Sequence, residues 1–134
     1  MSRERVERIL EGFDAFNRGD FEAVIEELPN DVEWRVLEQL PDQGPFRGRE
    51  GVRRFWESWN DTFMDFHAEM DEVIDAGDHV IVMIHMVGRG RDSGAHVETP
   101  VYAQMWSFRG DEVHRVTMFP TKEEALAAAG TAGA

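Results

Sequence analysis

Residues 66–119 read FHAEMDEVIDAGDHVIVMIHMVGRGRDSGAHVETPVYAQMWSFRGDEVHRVTMF. Over most of this stretch the apolar residues follow a period of two, which is typical of β-strands. Short segments rich in Gly, Asp and Ser separate the apolar segments, as the turns of hairpins do. The sequence therefore predicts four consecutive antiparallel strands, at Phe66–Asp75, His79–Arg89, Glu98–Phe108 and Val113–Phe119.

The residues on either side of this stretch follow the period of helices. Apolar residues three and four positions apart form a stripe in the predicted helices, and Ser2, Asp20 and Thr121 are placed as capping residues. The predicted elements outside the four strands are helices between Ser2 and Gly19, between Asp20 and Pro29, at Arg49–Met64 and from Thr121 onward, a strand at Asp31–Leu37 and a loop at Glu38–Gly48.

This order, α-α-β-α-β-β-β-β-α, predicts an α+β fold with one curved antiparallel sheet. We expect the helices to pack on the concave face of the sheet, which produces a cone-shaped domain with an internal cavity. A chain of 134 residues has the length of a single domain. We assign that domain to residues 1–130 and treat residues 131–134 as a frayed C-terminal tail.

The composition excludes several classes of site and partner. Cysteine is absent, which excludes disulfides and thiolate metal sites. The 27 acidic and 14 basic residues give a formal net charge of −13, which repels nucleic-acid backbones and anionic membranes. No apolar run is long enough to span a membrane, and the first residues show no signal-peptide pattern. We expect a cytoplasmic protein with no metal, no cofactor, no nucleic-acid partner and no membrane partner.

Seven short motifs occur in an order that resembles one known family. They are AFNRGD at 15–20, DVEW at 31–34, FRGREGVRRFW at 46–56, DAGDHV at 75–80, GRGRDSG at 88–94, WSFRGD at 106–111 and TKEEALAAAG at 121–130. Together they extend over nearly the whole chain, which resembles the SnoaL-like branch of the nuclear transport factor 2-like (ketosteroid isomerase-like) superfamily. The resemblance implies a conical cavity, an apolar ligand and a homodimer formed through the outer face of the sheet.

The resemblance leaves the chemistry open, because this superfamily includes isomerases, dehydratases, epoxide hydrolases, polyketide cyclases and proteins that only bind a ligand. The positions that correspond to the tyrosine and to the base of ketosteroid isomerase hold Gly12 and Val36. Steroid-type isomerisation is therefore not expected. The interiors of the last three predicted strands also contain no Asp or Glu that could activate water.

Three polar side chains in the predicted strands are candidate catalytic residues, namely His85, Tyr102 and Gln104. Alternation along the strand places Tyr102 and Gln104 on the same face, toward the cavity. The sequence does not decide on which face of the sheet His85 lies, because both the odd and the even positions of its strand are apolar. A strand that is apolar on both faces indicates that a partner subunit covers the outer face. His85 is either a hydrogen-bonded histidine of the core or dimer interface, or a general acid or base that shares the cavity with Tyr102 and Gln104.

Large apolar residues on the predicted inward faces are candidate ligand contacts. They are Phe13, Phe16, Trp34, Trp59, Phe63, Trp106, Val116 and Met118. The alternative is that the same side chains form an ordinary core.

We expect a small-molecule-binding protein with an apolar cavity, and two uses of that cavity stay open. One is a cofactor-free lyase or isomerase, such as a dehydratase or cyclase, that acts on a hydrophobic small molecule. The other is a non-catalytic ligand-binding or accessory dimeric module of the same fold. A pure dimerisation module with a filled interior is a third alternative.

Overall fold

A computed structural model of the chain describes residues 2–35, 46–110 and 112–133. These residues contain four helices and seven strands. In chain order they are α1 (Ser2–Asn17), α2 (Phe21–Glu26), β1 (Glu33–Arg35), β2 (Phe46–Arg47), α3 (Gly48–Thr62), β3 (Phe63–Ala76), β4 (His79–Gly90), β5 (His96–Glu98), β6 (Tyr102–Arg109), β7 (Glu112–Phe119) and α4 (Lys122–Gly133). None of the helices in these ranges is long and apolar enough to cross a membrane. The predicted α+β class is confirmed.

The strands form one sheet in the order β2-β1-β7-β6-β4-β3, and β5 pairs with the C-terminal end of β4. The β3–β4, β4–β6 and β6–β7 pairs are antiparallel, as the alternating pattern predicts. β1 runs parallel to β7, with Trp34 opposite Val116, so the sheet is not antiparallel throughout. The period of a strand shows which residues share a face, but it does not show which distant strand lies beside it.

The inner face of the sheet carries the main core. Val80, Val82 and Ile84 of β4 are buried in one cluster with Ile9 and Phe13 of α1. Bulges in β3 and in the β6–β7 pair bend the strands, so the sheet curves around α1, α2 and α3. These three helices lie on the concave face, as the sequence predicts.

The outer face of β4 is covered within the same chain. Ile81 and Met83 alternate with the inner-core residues and form a second buried cluster with Ala125 and Ala129 of α4. The helix α4, rather than a partner subunit, therefore explains why this part of β4 is apolar on both faces. It continues to Gly133, into the predicted C-terminal tail.

The junction between α3 and β3 differs from the prediction. The pattern predicts a helix that continues to Met64, but α3 ends at Thr62 and β3 begins at Phe63. A bulge follows at once, and in it Asp65 has a φ of 54°. Helical and strand periods overlap over these few residues, which is why the pattern misplaces the boundary.

The predicted strand Glu98–Phe108 is divided into β5 and β6. Pro100 has no N–H group to donate within a strand ladder. Thr99 bonds Met86 instead: its N–H donates to the Met86 carbonyl oxygen (2.9 Å), and its hydroxyl accepts from the Met86 N–H (2.9 Å). The chain bends at this point and still follows β4.

The predicted strand Asp31–Leu37 and loop Glu38–Gly48 lie partly outside the described residues. The described part of the strand is β1, and residues 36–45 fall outside. Phe46–Arg47, which the sequence predicts as loop, form β2 and pair with β1.

Asn17 joins the end of α1 to the free edge of β3. Its side-chain amide donates to the Ala68 carbonyl oxygen (3.0 Å), and its side-chain oxygen accepts from the Ala68 N–H (2.8 Å). The amide thus satisfies backbone groups that an edge strand otherwise leaves unpaired.

Gly88 of β4 lets Phe66 approach closely from the neighbouring strand β3. A Cβ atom at Gly88 would lie 2.9 Å from Phe66 Cβ and 3.2 Å from Phe66 Cα, and one of the strands would have to shift. We expect Gly88→Ala to lower the free energy of unfolding by about 1–3 kcal/mol in urea denaturation. Gly12→Ala is the matched control, since a Cβ there meets nothing within 4 Å in helix α1, and it should raise stability by roughly 0.5–1 kcal/mol. Equal effects of the two substitutions would contradict this account.

Candidate functional site

A pocket opens between the inner face of the sheet and the helices that cover it. The space inside it that is free of protein atoms measures about 530 Å³, and part of this space is open to solvent. We call it the aromatic pocket. Its lining residues are Gly12, Phe13, Phe16, Val24, Trp34, Phe55, Trp56, Trp59, Phe66, Ala68, Ile84, Met86, Tyr102, Gln104, Trp106 and Met118.

Aromatic rings dominate the wall of the pocket. All four tryptophans of the chain line it. The Trp34 ring stands edge-on to Trp56, with centroids 5.6 Å apart, and to Trp106, with centroids 5.8 Å apart. Edge-to-face packing is a favoured geometry for aromatic pairs. The wall is therefore a packed array of rings with a gap beside it.

Two polar side chains, Gln104 and Tyr102, belong to this wall. Gln104 is only 4% exposed, and its Oε1 accepts a hydrogen bond from the Trp106 indole N–H (3.1 Å). Burial raises the pKa of Tyr102 to about 12, and the opposing effect of the Gln104 side chain is smaller. The phenol therefore stays neutral at physiological pH and keeps its proton as a hydrogen-bond donor.

The structure places six of the eight predicted ligand contacts at the pocket: Phe13, Phe16, Trp34, Trp59, Trp106 and Met118. Val116 points inward but is completely buried in the core, where Trp34 and Trp106 flank it in the sheet. Phe63 lies at the start of β3 and packs on Trp59 outside the lining (centroids 5.3 Å apart). The sequence includes Phe63 in the predicted helix Arg49–Met64, whereas α3 ends at Thr62.

Several lining residues were not among the predicted contacts. Phe55 and Trp56 come from α3, Phe66 from β3, and Ile84 and Met86 from β4. For Ile84 and Met86 the sequence contains a signal, because they lie on the same face of β4 as Val80 and Val82 of the inner core. The sequence does not show that this face is the inner one, since β4 is apolar on both faces.

The structure places His85 on the opposite side of the sheet from Gln104 and Tyr102. Ile84 and Met86, the neighbours of His85 in β4, both line the pocket, and alternation turns the residue between them outward. The predicted group of a histidine, an amide and a phenol in one cavity is therefore not assembled. Only Tyr102 and Gln104 of the three candidate catalytic residues reach the pocket.

On the outer face, carboxylates surround His85. Its Nδ1 lies 2.8 Å from Asp71 Oδ2, and its Nε2 lies 3.1 Å from Glu98 Oε1 and 3.4 Å from Glu69 Oε1. The hydrogen bond with Asp71 raises the pKa of His85; burial acts against it, and the charges of Asp71, Glu69 and Glu98 add to it. Among the described residues, no group of three or more His, Asp or Glu side chains is arranged to hold a metal ion.

Comparison with models of known protein families identifies the family of this chain. The model of the SnoaL-like domain matches residues 8–116, which is most of the chain. The protein belongs to the SnoaL-like domain family. The resemblance drawn from the seven motifs is confirmed. Among the curated proteins compared with this SnoaL-like domain, none matches it in sequence.

Solved structures share the fold of this SnoaL-like domain at low sequence identity. An NTF2-like protein from Burkholderia pseudomallei is 18% identical, with a TM-score of 0.76 over 92% of this chain and 95% of the other. TerC, crystallised with polyporic acid, is 19% identical, with a TM-score of 0.75 over 95% and 98%. A candidate polyketide cyclase from Xanthomonas campestris pv. campestris is 20% identical, with a TM-score of 0.70 over 95% and 97%. These likenesses show the nuclear transport factor 2-like fold.

The raised pKa of His85 makes its contribution to stability depend on pH. The folded protein holds the imidazole proton more tightly than the unfolded chain does, so the contribution is complete below the ordinary pKa near 6.5. It is lost as the pH rises through the raised pKa of the folded state. We expect the coupling between His85 and Asp71 to be more favourable at pH 5.5 than at pH 9, where a neutral imidazole keeps only its hydrogen bond to Asp71.

A double-mutant cycle of His85→Gln and Asp71→Asn, with urea denaturation at each pH, measures this coupling. The double variant serves as the reference in which neither partner is present. A coupling energy that stays constant from pH 5.5 to pH 9 would show that the ion pair plays no such part.

Proposed function

We propose that this SnoaL-like protein binds an apolar aromatic small molecule in the aromatic pocket. The observation that carries the proposal is the lining itself, whose described residues include all four tryptophans, several phenylalanines and, apart from the indole N–H groups, two polar side chains. Ligand pockets in proteins are typically apolar clefts with a few placed polar groups. TerC, which shares the fold, was crystallised with polyporic acid, and this supports a small-molecule role.

Binding without catalysis is the better supported of the two uses of the pocket. None of the described lining residues is an Asp, Glu or His, so none of them is a general base near neutral pH. Tyr102 holds its proton up to a pKa of about 12, and Gln104 does not titrate. This pair can hold and polarise a carbonyl oxygen, which is the part of a lyase or isomerase mechanism that these residues can supply.

Gly12 offers a way to block the pocket without disturbing the fold. It lines the pocket from α1, and a Cβ atom built there meets nothing within 4 Å. We expect Gly12→Leu to place its side chain in the pocket and to weaken binding of the neutral dye N-phenyl-1-naphthylamine at least tenfold. Energy transfer from tryptophan to the dye measures the affinity, and thermal unfolding shows that the variant folds.

Gly130→Leu is the matched control, because Gly130 is also helical with open space around it but lies in α4, on the other face of the sheet. It should bind the dye as the parent does. If the parent protein gives no saturable signal, or if Gly12→Leu binds the dye unchanged, the pocket is not the ligand site.

We also propose that two copies associate through the part of the outer sheet face that α4 leaves open. The side chains of Glu69, Asp71 and Glu98 there are 42–52% exposed in the single chain. Their pairing with His85 gives this region a mixed, partly neutralised charge. The family resemblance supports a dimer through this face.

A charge placed beside His85 tests the proposed dimer. Val87 follows His85 on the same face of β4, so Val87→Asp should weaken the dimer at least tenfold. Sedimentation equilibrium measures the dissociation constant at protein concentrations from about 1 to 100 µM, which span roughly micromolar affinities. Leu10→Asp, an exposed position on α1, should leave it unchanged. A monomer mass of the parent protein at all of these concentrations would refute the dimer.

A further inference from the structure

One buried polar group in the aromatic pocket has no partner within residues 2–35, 46–110 and 112–133. Trp34 is 3% exposed and lines the pocket, and its indole N–H has no hydrogen-bond acceptor among the described residues. Buried N–H groups are nearly always bonded, and one left unpaired typically costs about 1–3 kcal/mol. The neighbouring indole of Trp106 shows the ordinary arrangement, since it donates to Gln104.

The other polar groups of the pocket also present donors. An indole N–H can only donate, so the bond from Trp106 fixes the Gln104 oxygen toward that ring and turns its NH₂ group away from it. Burial raises the pKa of Tyr102 to about 12, so its hydroxyl keeps a hydrogen that it can donate.

The charge of a fitting ligand follows from the same lining. No described residue of the lining carries a formal charge, so neither a carboxylate nor an ammonium group would meet a counter-ion there. The protein's net charge of −13 further disfavours anions. The pocket therefore matches a neutral molecule that accepts hydrogen bonds.

We propose that the Trp34 indole N–H is a specificity-determining donor that selects flat, neutral ligands bearing a carbonyl oxygen. This inference rests on the proposed ligand-binding function and adds the feature that distinguishes one aromatic ligand from another. The ring of Trp34 lines the pocket, but its N–H is closed to water in the structure, so a ligand reaches it only if a neighbouring ring moves. A carbonyl oxygen then satisfies the unpaired N–H, whereas a hydrocarbon of the same shape leaves it buried and unpaired.

Two ligands of nearly equal shape separate these cases: 2-acetylnaphthalene and 2-isopropenylnaphthalene, in which a methylene group replaces the carbonyl oxygen. The hydrocarbon is the more apolar of the two, so the informative quantity is how their affinity ratio changes with mutation. We expect Trp34→Phe to shift this ratio about tenfold against the ketone. Phe63→Leu is the control, because it trims a ring that carries no N–H and packs on Trp59 outside the lining, and it should leave the ratio unchanged.

A second measurement observes Trp34 in the parent protein and therefore does not require Trp34→Phe to fold. Each tryptophan gives one indole N–H signal in a ¹H–¹⁵N spectrum, and single Trp→Phe changes at 56, 59 and 106 assign the Trp34 signal by elimination. We expect 2-acetylnaphthalene to move the Trp34 proton signal downfield and the hydrocarbon to leave it near its original position.

The outcomes distinguish the two proposals. If both compounds bind but the ratio is unchanged in Trp34→Phe and its signal does not respond to the ketone, the role of Trp34 is overturned while ligand binding stands. If neither compound binds the parent protein, the proposed function fails and the inference fails with it.

Discussion

Strand β4 is buried on both of its faces from Val80 to Ile84, and the other elements are placed so that this part of the strand is covered on both sides. Its even-numbered residues from Val80 to Met86 face the helices α1, α2 and α3, and Ile81 and Met83 face α4. Burial of this much apolar surface is the main favourable term that the fold can use. Since side chains of a strand alternate strictly, this burial also decides on which side of the sheet every polar residue of the central strands lies.

The separation of His85 from Gln104 is one consequence of that constraint. His85 occupies an outward position of β4, so a group of carboxylates on the outer face compensates its burial. Gln104 and Tyr102 occupy inward positions of β6, where Gln104 accepts a hydrogen bond from the Trp106 indole. The imidazole of His85 and the carboxylates around it are thus on one side of the sheet and the pocket is on the other, which is why the geometry supports ligand binding more strongly than proton transfer.

The wall of the pocket is built of large rings that meet at steep angles. The Trp34 ring packs edge to face against Trp56 and Trp106, and the open space lies beside this array. The cost of that arrangement is visible in the Trp34 N–H, which the described part of the chain leaves unpaired. Membership of the SnoaL-like family fits a pocket of this kind but does not specify its contents, because a fold supports many chemistries.

The sequence by itself determined the α+β class, the hairpins of the sheet and the shared inward face of Tyr102 and Gln104, because each of these depends on local periodicity or on turn residues. It also indicated most of the aromatic wall. Two features depended on the tertiary structure alone: the parallel pairing of β1 with β7, and the outward face of His85. Both are decided by which distant elements cover which face of the sheet, and a strand that is apolar on both faces carries no local signal of that choice.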